Sequence, residues 1–228
     1  MKKTKDSCDV ASCFLCKCCL ADWLPLVELN RKNLRFKKGE TIFEEGRTVE
    51  GIYFLYKGRV KVHKQWGAGK ELIIRFATDG EILGHRGLGD NCTYPVSATA
   101  LEPTTICFID TAFFLSTLKI NQGLAFKLVM LYAKELQATE QRMHDLVNMD
   151  MKGRIAGSLL MLKNQFGIDA NNRLNINISR QDLASFAGTT YETVFRILNE
   201  LVTAKCIVTE DKNIKVVDET LLVSFTKA

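Results

Sequence analysis

The chain has 228 residues, 46% of them hydrophobic and 25% charged, with three prolines and a formal net charge of +5. That composition excludes a disordered or fibrous chain, and the length suits two domains better than one core. The absence of any run of about 18 apolar residues argues against a membrane span, and the mild positive charge permits contact with nucleic acid without requiring it.

In chain order, the first segment (1–20) is marked by cysteine: Cys8, Cys13, Cys16, Cys18 and Cys19 are five of the eight in the chain. Lys2, Lys3 and Lys5 are followed by Asp6, Ser7 and Asp9 where a secretory signal needs an apolar core. A cytoplasmic protein is therefore expected, with reduced thiols or metal ligands in place of disulfides. Cys13-x2-Cys16-x2-Cys19 has the compact spacing of iron–sulfur ligands and leaves Cys8 and Cys18 spare, although such a cluster can also hold zinc or nothing.

Residues 21–120 carry ten of the fifteen glycines, from Gly39 to Gly89. The runs "ETIFEEG", "GIYFLYKGRVKVHKQWG", "KELIIRFATDG" and "YPVSATALEPTTICFID" are rich in β-branched and aromatic residues and end in Lys-Gly, Asp-Gly and Glu-Pro turn signals. Many short strands at this spacing predict an antiparallel barrel or roll. His63 and His85 are candidate axial ligands if the roll encloses a haem, though a lone histidine is more often structural, and Cys92 shares the loop of His85.

Over 121–149 the turn signals stop, with no glycine or proline between Gly123 and Gly153. Ala125, Val129, Tyr132, Leu136, Thr139, Met143 and Leu146 recur at alternating spacings of 4 and 3, a heptad seam that predicts a long helix joining two copies of the chain. Asp150 is placed to cap the next helix, "MKGRIAGSLLMLKNQFG", and the hinge between domains is expected there.

Residues 150–228 hold 10 Lys and Arg after Met151 against 8 Asp and Glu, so bulk charge decides nothing and local geometry must. In "ISRQDLASFAGTTYETVFRILNELV", Ser179 with Asp182 and Thr189 with Glu192 each fit a capping box, marking two short consecutive helices. Ala184 and Gly188 are small where the axes would cross, and Leu183, Val194, Ile197, Leu198 and Leu201 supply the shared apolar face. This predicts a helix-turn-helix, with "CIVTEDKNIKVVD" as a hairpin wing. Glu192 and Arg196 lie one turn apart off the apolar stripe, flanking an exposed Phe195; arginine can take guanine O6 and N7 and a carboxylate can accept from cytosine N4. Their ordinary alternative is an i,i+4 surface ion pair, worth ~0.2–0.5 kcal/mol.

With these pieces in order, the chain resembles the CRP/FNR superfamily of transcription regulators. The landmarks are "KKGETIFEEG", "GIYFLYKGRVKV", "GEILG", the long helix, D-x-x-GRIA at Asp150 to Ala156, and "RQDLASFAG…YETVFRIL". The resemblance implies an α+β fold: an N-terminal cyclic-nucleotide-binding-type β roll (double-stranded jelly roll), a dimerisation helix and a C-terminal winged helix-turn-helix. It also implies a homodimer that binds pseudo-palindromic double-stranded DNA and contacts RNA polymerase. Glu192 and Arg196 would read a TGA-type half-site, with Ser179, Arg180 and Gln181 near phosphates and Thr190, Tyr191 and Phe195 beside them. Tyr191 stands where better-known members carry arginine or valine, so the outer bases stay open.

In the effector pocket the resemblance breaks down. Where cyclic-AMP receptors hold ribose with a Gly-Glu pair and phosphate with an Arg-Ser pair, His85 replaces the glutamate and Pro95-Val96 fills the other slot. Arg86 is left as a substitute and Thr139 matches a nucleotide-contacting threonine. Cyclic AMP is disfavoured, since a phosphate without its arginine loses a charge-assisted partner commonly worth ~1.5–3 kcal/mol. Two cofactors remain open: an iron–sulfur cluster on Cys13, Cys16, Cys19 and Cys107, the last matching the family's distant ligand, or a haem on His63 and His85. The expected function is a DNA-binding sensor of redox state, oxygen or nitric oxide, on the HcpR-like or FNR-like branch. A β-roll adaptor or kinase-regulatory module is the rival; it would have no use for the turn and wing after Ser179. An enzyme fares worst, because no nucleophile-base pair, phosphate-binding glycine loop or zinc-protease motif is present.

Overall fold

The computed structural model describes residues 2–3, 13–67 and 69–227, so the expectation about Cys8 lies outside the described residues. In chain order the elements are strand β1 (Lys2–Lys3), helices α1 (Phe14–Cys18) and α2 (Leu24–Asn30), and strands β2 (Lys32–Phe36), β3 (Thr41–Phe43), β4 (Gly51–Lys57), β5 (Val60–Trp66), β6 (Lys70–Ala77) and β7 (Ile82–Leu83). A 3-10 turn over His85–Gly87 leads to β8 (Ser97–Ala100), β9 (Thr104–Asp110), α3 (Thr111–Ile120) and the long α4 (Gln122–Asn148). Then follow α5 (Met151–Phe166), α6 (Arg180–Ala187), α7 (Tyr191–Thr203), β10 (Ile207–Glu210), β11 (Asn213–Val216) and α8 (Glu219–Ser224). The chain divides into two compact units, 1–65 with 74–136 and 66–73 with 137–228. No described helix is long and apolar enough to cross a membrane.

The roll consists of two antiparallel sheets, ordered β1-β2-β9-β4-β7 and β3-β8-β5-β6. The sequence shows imperfect alternation in its strands because the central ones are covered on both faces. Along β4, Tyr53 and Leu55 point into the interior of the roll with Phe43, Val62 and Tyr94, while Ile52 and Phe54 pack in a second core with Phe114, Leu124 and Leu128. β9 divides in the same way, Ile106 entering the first core and Cys107 and Ile109 the second. Period-2 side chains thus feed two apolar layers, and each fully buried Leu, Ile or Phe contributes roughly 1.5–3 kcal/mol. Gly58 turns β4 into β5 at φ 128°, and a Cβ there would lie 2.5 Å from Thr104 Oγ1, so only glycine fits.

The face of α4 differs from the expected seam. Leu124 and Leu128 are buried against the roll, and the half-buried Tyr132 donates its hydroxyl to the His85 carbonyl at 2.5 Å, tying it to its own unit. Leu146 is half-buried within the other unit and Ala125 is also partly covered. Val129, Leu136 and Met143 are exposed as a seam requires, and they are joined by Phe126, Met130 and Val147. A helix with one stripe on its own core and a second apolar stripe in solvent produces two overlapping periodicities, and the expectation merged them.

In the second unit, Asp150 caps α5 by accepting from the Gly153 N–H at 2.7 Å. Helices α5, α6 and α7 pack around Ile155, Leu159, Leu183, Val194, Ile197 and Leu201, and β10 pairs with β11 as the wing.

Candidate DNA-reading face and effector pocket

The helix-turn-helix is built by local rules. Ser179 and Asp182 form the expected capping box: the Asp182 N–H donates to Ser179 Oγ at 2.9 Å and the Ser179 N–H to Asp182 Oδ2 at 3.2 Å. Gly188 ends α6 in the left-handed region at φ 66° and ψ 43°, and a Cβ there would stand 2.9 Å from Leu146. The second start departs from expectation. The cap of α7 is Thr190, one residue later than Thr189, with its Oγ1 accepting from the Thr193 N–H at 3.3 Å. Glu192 is thereby released from any box and sits in the first turn, where the positive helix end favours its charge.

Helix α7 buries Val194, Ile197, Leu198 and Leu201 and turns Tyr191, Glu192, Phe195 and Arg196 to solvent, with 56% of Phe195 and 63% of the Arg196 side chain exposed. The surface pair weighed as the ordinary alternative for Glu192 and Arg196 does not form; Arg196 bridges to Glu200 at 2.5 Å instead. That pair is solvent-exposed and so weak, which leaves the guanidinium easy to redirect. Arg180 donates to the Asp211 carbonyl in the turn of the wing at 3.2 Å and is half-buried, with its pKa lowered by burial. Gln181 and Thr190 are exposed beside it.

The pocket side of the roll centres on a carboxylate that sequence reasoning missed. Glu135 of α4 lies 3.2 Å from His85 Nε2, accepts from Arg86 Nε at 2.7 Å and has Arg75 Nε at 3.4 Å. Burial raises the pKa of Glu135, but His85 and the two arginines outweigh it and hold the carboxyl down to about 2. Burial lowers that of His85, which is 1% exposed, against the opposing pull of the Glu135 carboxylate. The available signal was the inward spacing Leu124, Leu128, Leu131, Tyr132, Glu135. Thr139 is exposed on α4.

The space beside His85 is nearly closed. Tyr53 and Tyr94 stack on Phe43 with ring centroids 5.2 and 4.4 Å away, the Tyr94 hydroxyl donates to the Gly51 carbonyl at 2.8 Å, and a cavity of about 10 Å³ remains. That is room for one water at most. Its wall takes Val62 and not His63 from β5; His63 is buried with Nε2 2.9 Å from Thr99 Oγ1. Two histidines so placed, one engaged by Glu135, beside a closed space do not fit a haem. The thiols are closer to their expectation. Cys13, Cys16 and Cys107 are buried in one apolar core, against which Cys18 and Cys19 pack. Burial pushes the Cys18 and Cys19 thiols up, the latter to about 11, and among the described residues no three His, Cys, Asp or Glu side chains are placed to hold a metal ion. The set Cys13, Cys16, Cys19 and Cys107 is not arranged to hold an iron–sulfur cluster in this packing: the single turn of α1 turns Cys16 inward while Cys19 leaves the helix in extended backbone.

Comparison with known proteins fits both halves of this arrangement. Residues 33–121 match the family described as Cyclic nucleotide-binding domain, and residues 153–225 match the Crp-like helix-turn-helix domain. The chain is 26% identical over 200 residues to the Anaerobic regulatory protein of Bacillus subtilis, covering 86% of this chain and 84% of that one. It is 28% identical over 187 residues to the cAMP-activated global transcriptional regulator CRP of Salmonella typhimurium, covering 80% and 88%. The fold is also that of FixK2 from Bradyrhizobium japonicum, with a TM-score of 0.77 at 24% identity over 87% of this chain and 98% of that one.

Proposed function

We propose, since the chain belongs to the CRP/FNR family of DNA-binding transcription regulators, that it acts in the cytoplasm as a homodimer reading TGA-type half-sites through Glu192 and Arg196. Members of this family bind DNA as dimers, contact RNA polymerase and are not enzymes. The observation that carries the reading is the solvent face of α7, where a carboxylate and a guanidinium stand one turn apart on a helix whose opposite face is fully packed. Such a helix enters the major groove by its first turns, and its partner in a dimer lies about 34 Å away, one turn of the duplex. Ser179, Arg180, Gln181 and Thr190 flank it and position the unit on phosphates, while Tyr191 and Phe195 lie against the outer bases. Val129, Leu136 and Met143 supply the dimer seam, and the domains divide as 21–120, 121–149 and 150–228.

The signal is of the redox, oxygen or nitric-oxide type and not cyclic AMP. Three features support this. Arg75 and Arg86, the guanidiniums beside the space next to His85, are both engaged by Glu135; that space is filled by aromatic rings; and five thiols crowd the N-terminal side of the roll. The Bacillus subtilis relative bears the name of an anaerobic regulator. A gel shift at fixed salt with a TTGA/TCAA palindrome tests the reading. Binding that falls in the Arg196→Ala variant, changes between anaerobic and air-exposed protein and ignores cyclic AMP is expected. Equal binding by the variant refutes the base-reading role, and a response to cyclic AMP alone refutes the redox signal.

A further inference from the structure

A second cavity, of about 220 Å³, lies wholly within the C-terminal unit. It is walled by the last turns of α4, the middle of α5, the end of α6 and Thr226 of the C-terminal tail. At liquid density it would hold about seven waters, yet its surface is chiefly apolar, formed by Leu146, Met149, Leu160 and Phe186. Into this apolar space come two guanidinium groups. Arg142 lies over the Phe186 ring at 4.5 Å and donates to the Phe186 carbonyl, and burial pushes its pKa down to about 10. Arg154 donates to the Met151 sulfur, while its Nε is buried and makes no hydrogen bond to any described residue. A buried N–H of a cation without an acceptor is costly, and an anion is what relieves it. Asp145 also lines the space, but its carboxylate accepts from Gln141 Nε2 at 2.8 Å.

We propose that this cavity is a binding site for a small aromatic carboxylate, with the carboxylate on Arg154, Arg142 adding charge, and the ring against Phe186 and the methionines. Thioether sulfur and aromatic edges suit one another, and methionine adjusts to irregular ligands. The occupied site braces α6, the first helix of the DNA-reading pair, against the end of α4 within the same unit. It is distinct from the pocket of the roll, and its ligand need not be the signal received there.

Benzoate is the probe, with benzamide as its uncharged counterpart, each titrated calorimetrically into the full chain. Saturable binding of benzoate with a rise in Tm is expected, and benzamide should bind about tenfold more weakly or worse, because charge-assisted hydrogen bonds to guanidinium are lost. Arg154→Gln should weaken benzoate by a similar factor. Gly157 lines the cavity, and a Cβ there meets only Thr226 Cγ2 at 3.7 Å, so Gly157→Leu should fill the space and abolish binding with the circular dichroism spectrum unchanged. No saturable heat with the unaltered protein overturns the proposal. So does equal affinity for benzoate and benzamide, a comparison that needs no variant to fold.

Discussion

The solvent face of α7 and the pocket wall of the roll use the same kinds of side chain in opposite ways. On α7 the guanidinium of Arg196 is exposed and paired with Glu200, whereas in the roll Arg86 and Arg75 are bound to a largely covered Glu135. The charge on α7 is left in high dielectric with a weak, replaceable neighbour. A charge already matched inside the fold is desolvated and locked, and removing one member leaves the others costly. The solvent face of α7 is therefore open to a ligand as it stands, while the roll must first break an internal ion cluster to admit an anion.

Substitution of Arg196 should have the largest effect. If each bidentate contact to guanine discriminates by ~1–3 kcal/mol, Arg196→Ala should cost about 2–6 kcal/mol over two half-sites, or roughly 30-fold and more in affinity for the palindrome. Non-specific binding should change little and keep its steep salt dependence, checked by fluorescence anisotropy on specific and scrambled duplexes at two salt concentrations. Next comes the filling of the roll. Tyr94→Phe removes the buried hydroxyl that donates to the Gly51 carbonyl and leaves that carbonyl short of a partner, at a cost of about 1–3 kcal/mol measured by urea denaturation. Gly188→Ala should destabilise by about 1–2 kcal/mol through the left-handed backbone alone, with contact against Leu146 in addition, and should lower Tm by several degrees.

The smallest effect sharpens the comparison by pH. Glu135 has its folded pKa below the ordinary 4.5, so the stability it contributes is complete above that value and is lost as pH falls through about 2. His85 also has its folded pKa lowered, below 6.5, so the unfolded chain binds a proton that the folded one refuses and stability begins to decline once pH drops under that value. Thermal unfolding from pH 7 to pH 2 should show both declines. Glu135→Gln should flatten the one at lower pH, and an unchanged profile would mean that Glu135 does not hold the cluster.

Much of the DNA-reading half was legible before any coordinates. Capping boxes, a left-handed glycine and a 3.6-residue apolar period are short-range rules, and they placed Glu192 and Arg196 outward on α7 even though the cap slipped from Thr189 to Thr190. The roll was legible as a fold but not as a site. Glu135 stood among residues read as a dimer seam, and nothing in its immediate neighbours reveals that Arg75, His85 and Arg86, some 50 to 60 positions earlier, converge on it. The same holds for the thiols: Cys107 reaches Cys13 and Cys16 because β9 alternates its side chains between two cores, and only the second core receives it.

By itself the sequence determined the order of elements, the two-part division into roll and winged helix, and the side of α7 that faces solvent, because each rests on interactions within a turn or two of backbone. The tertiary structure alone decided what the roll can admit. Stacked aromatic rings, a carboxylate borrowed from α4 and a shared thiol core bring together residues far apart in the chain, and burial there sets protonation and open volume, neither of which local pattern encodes.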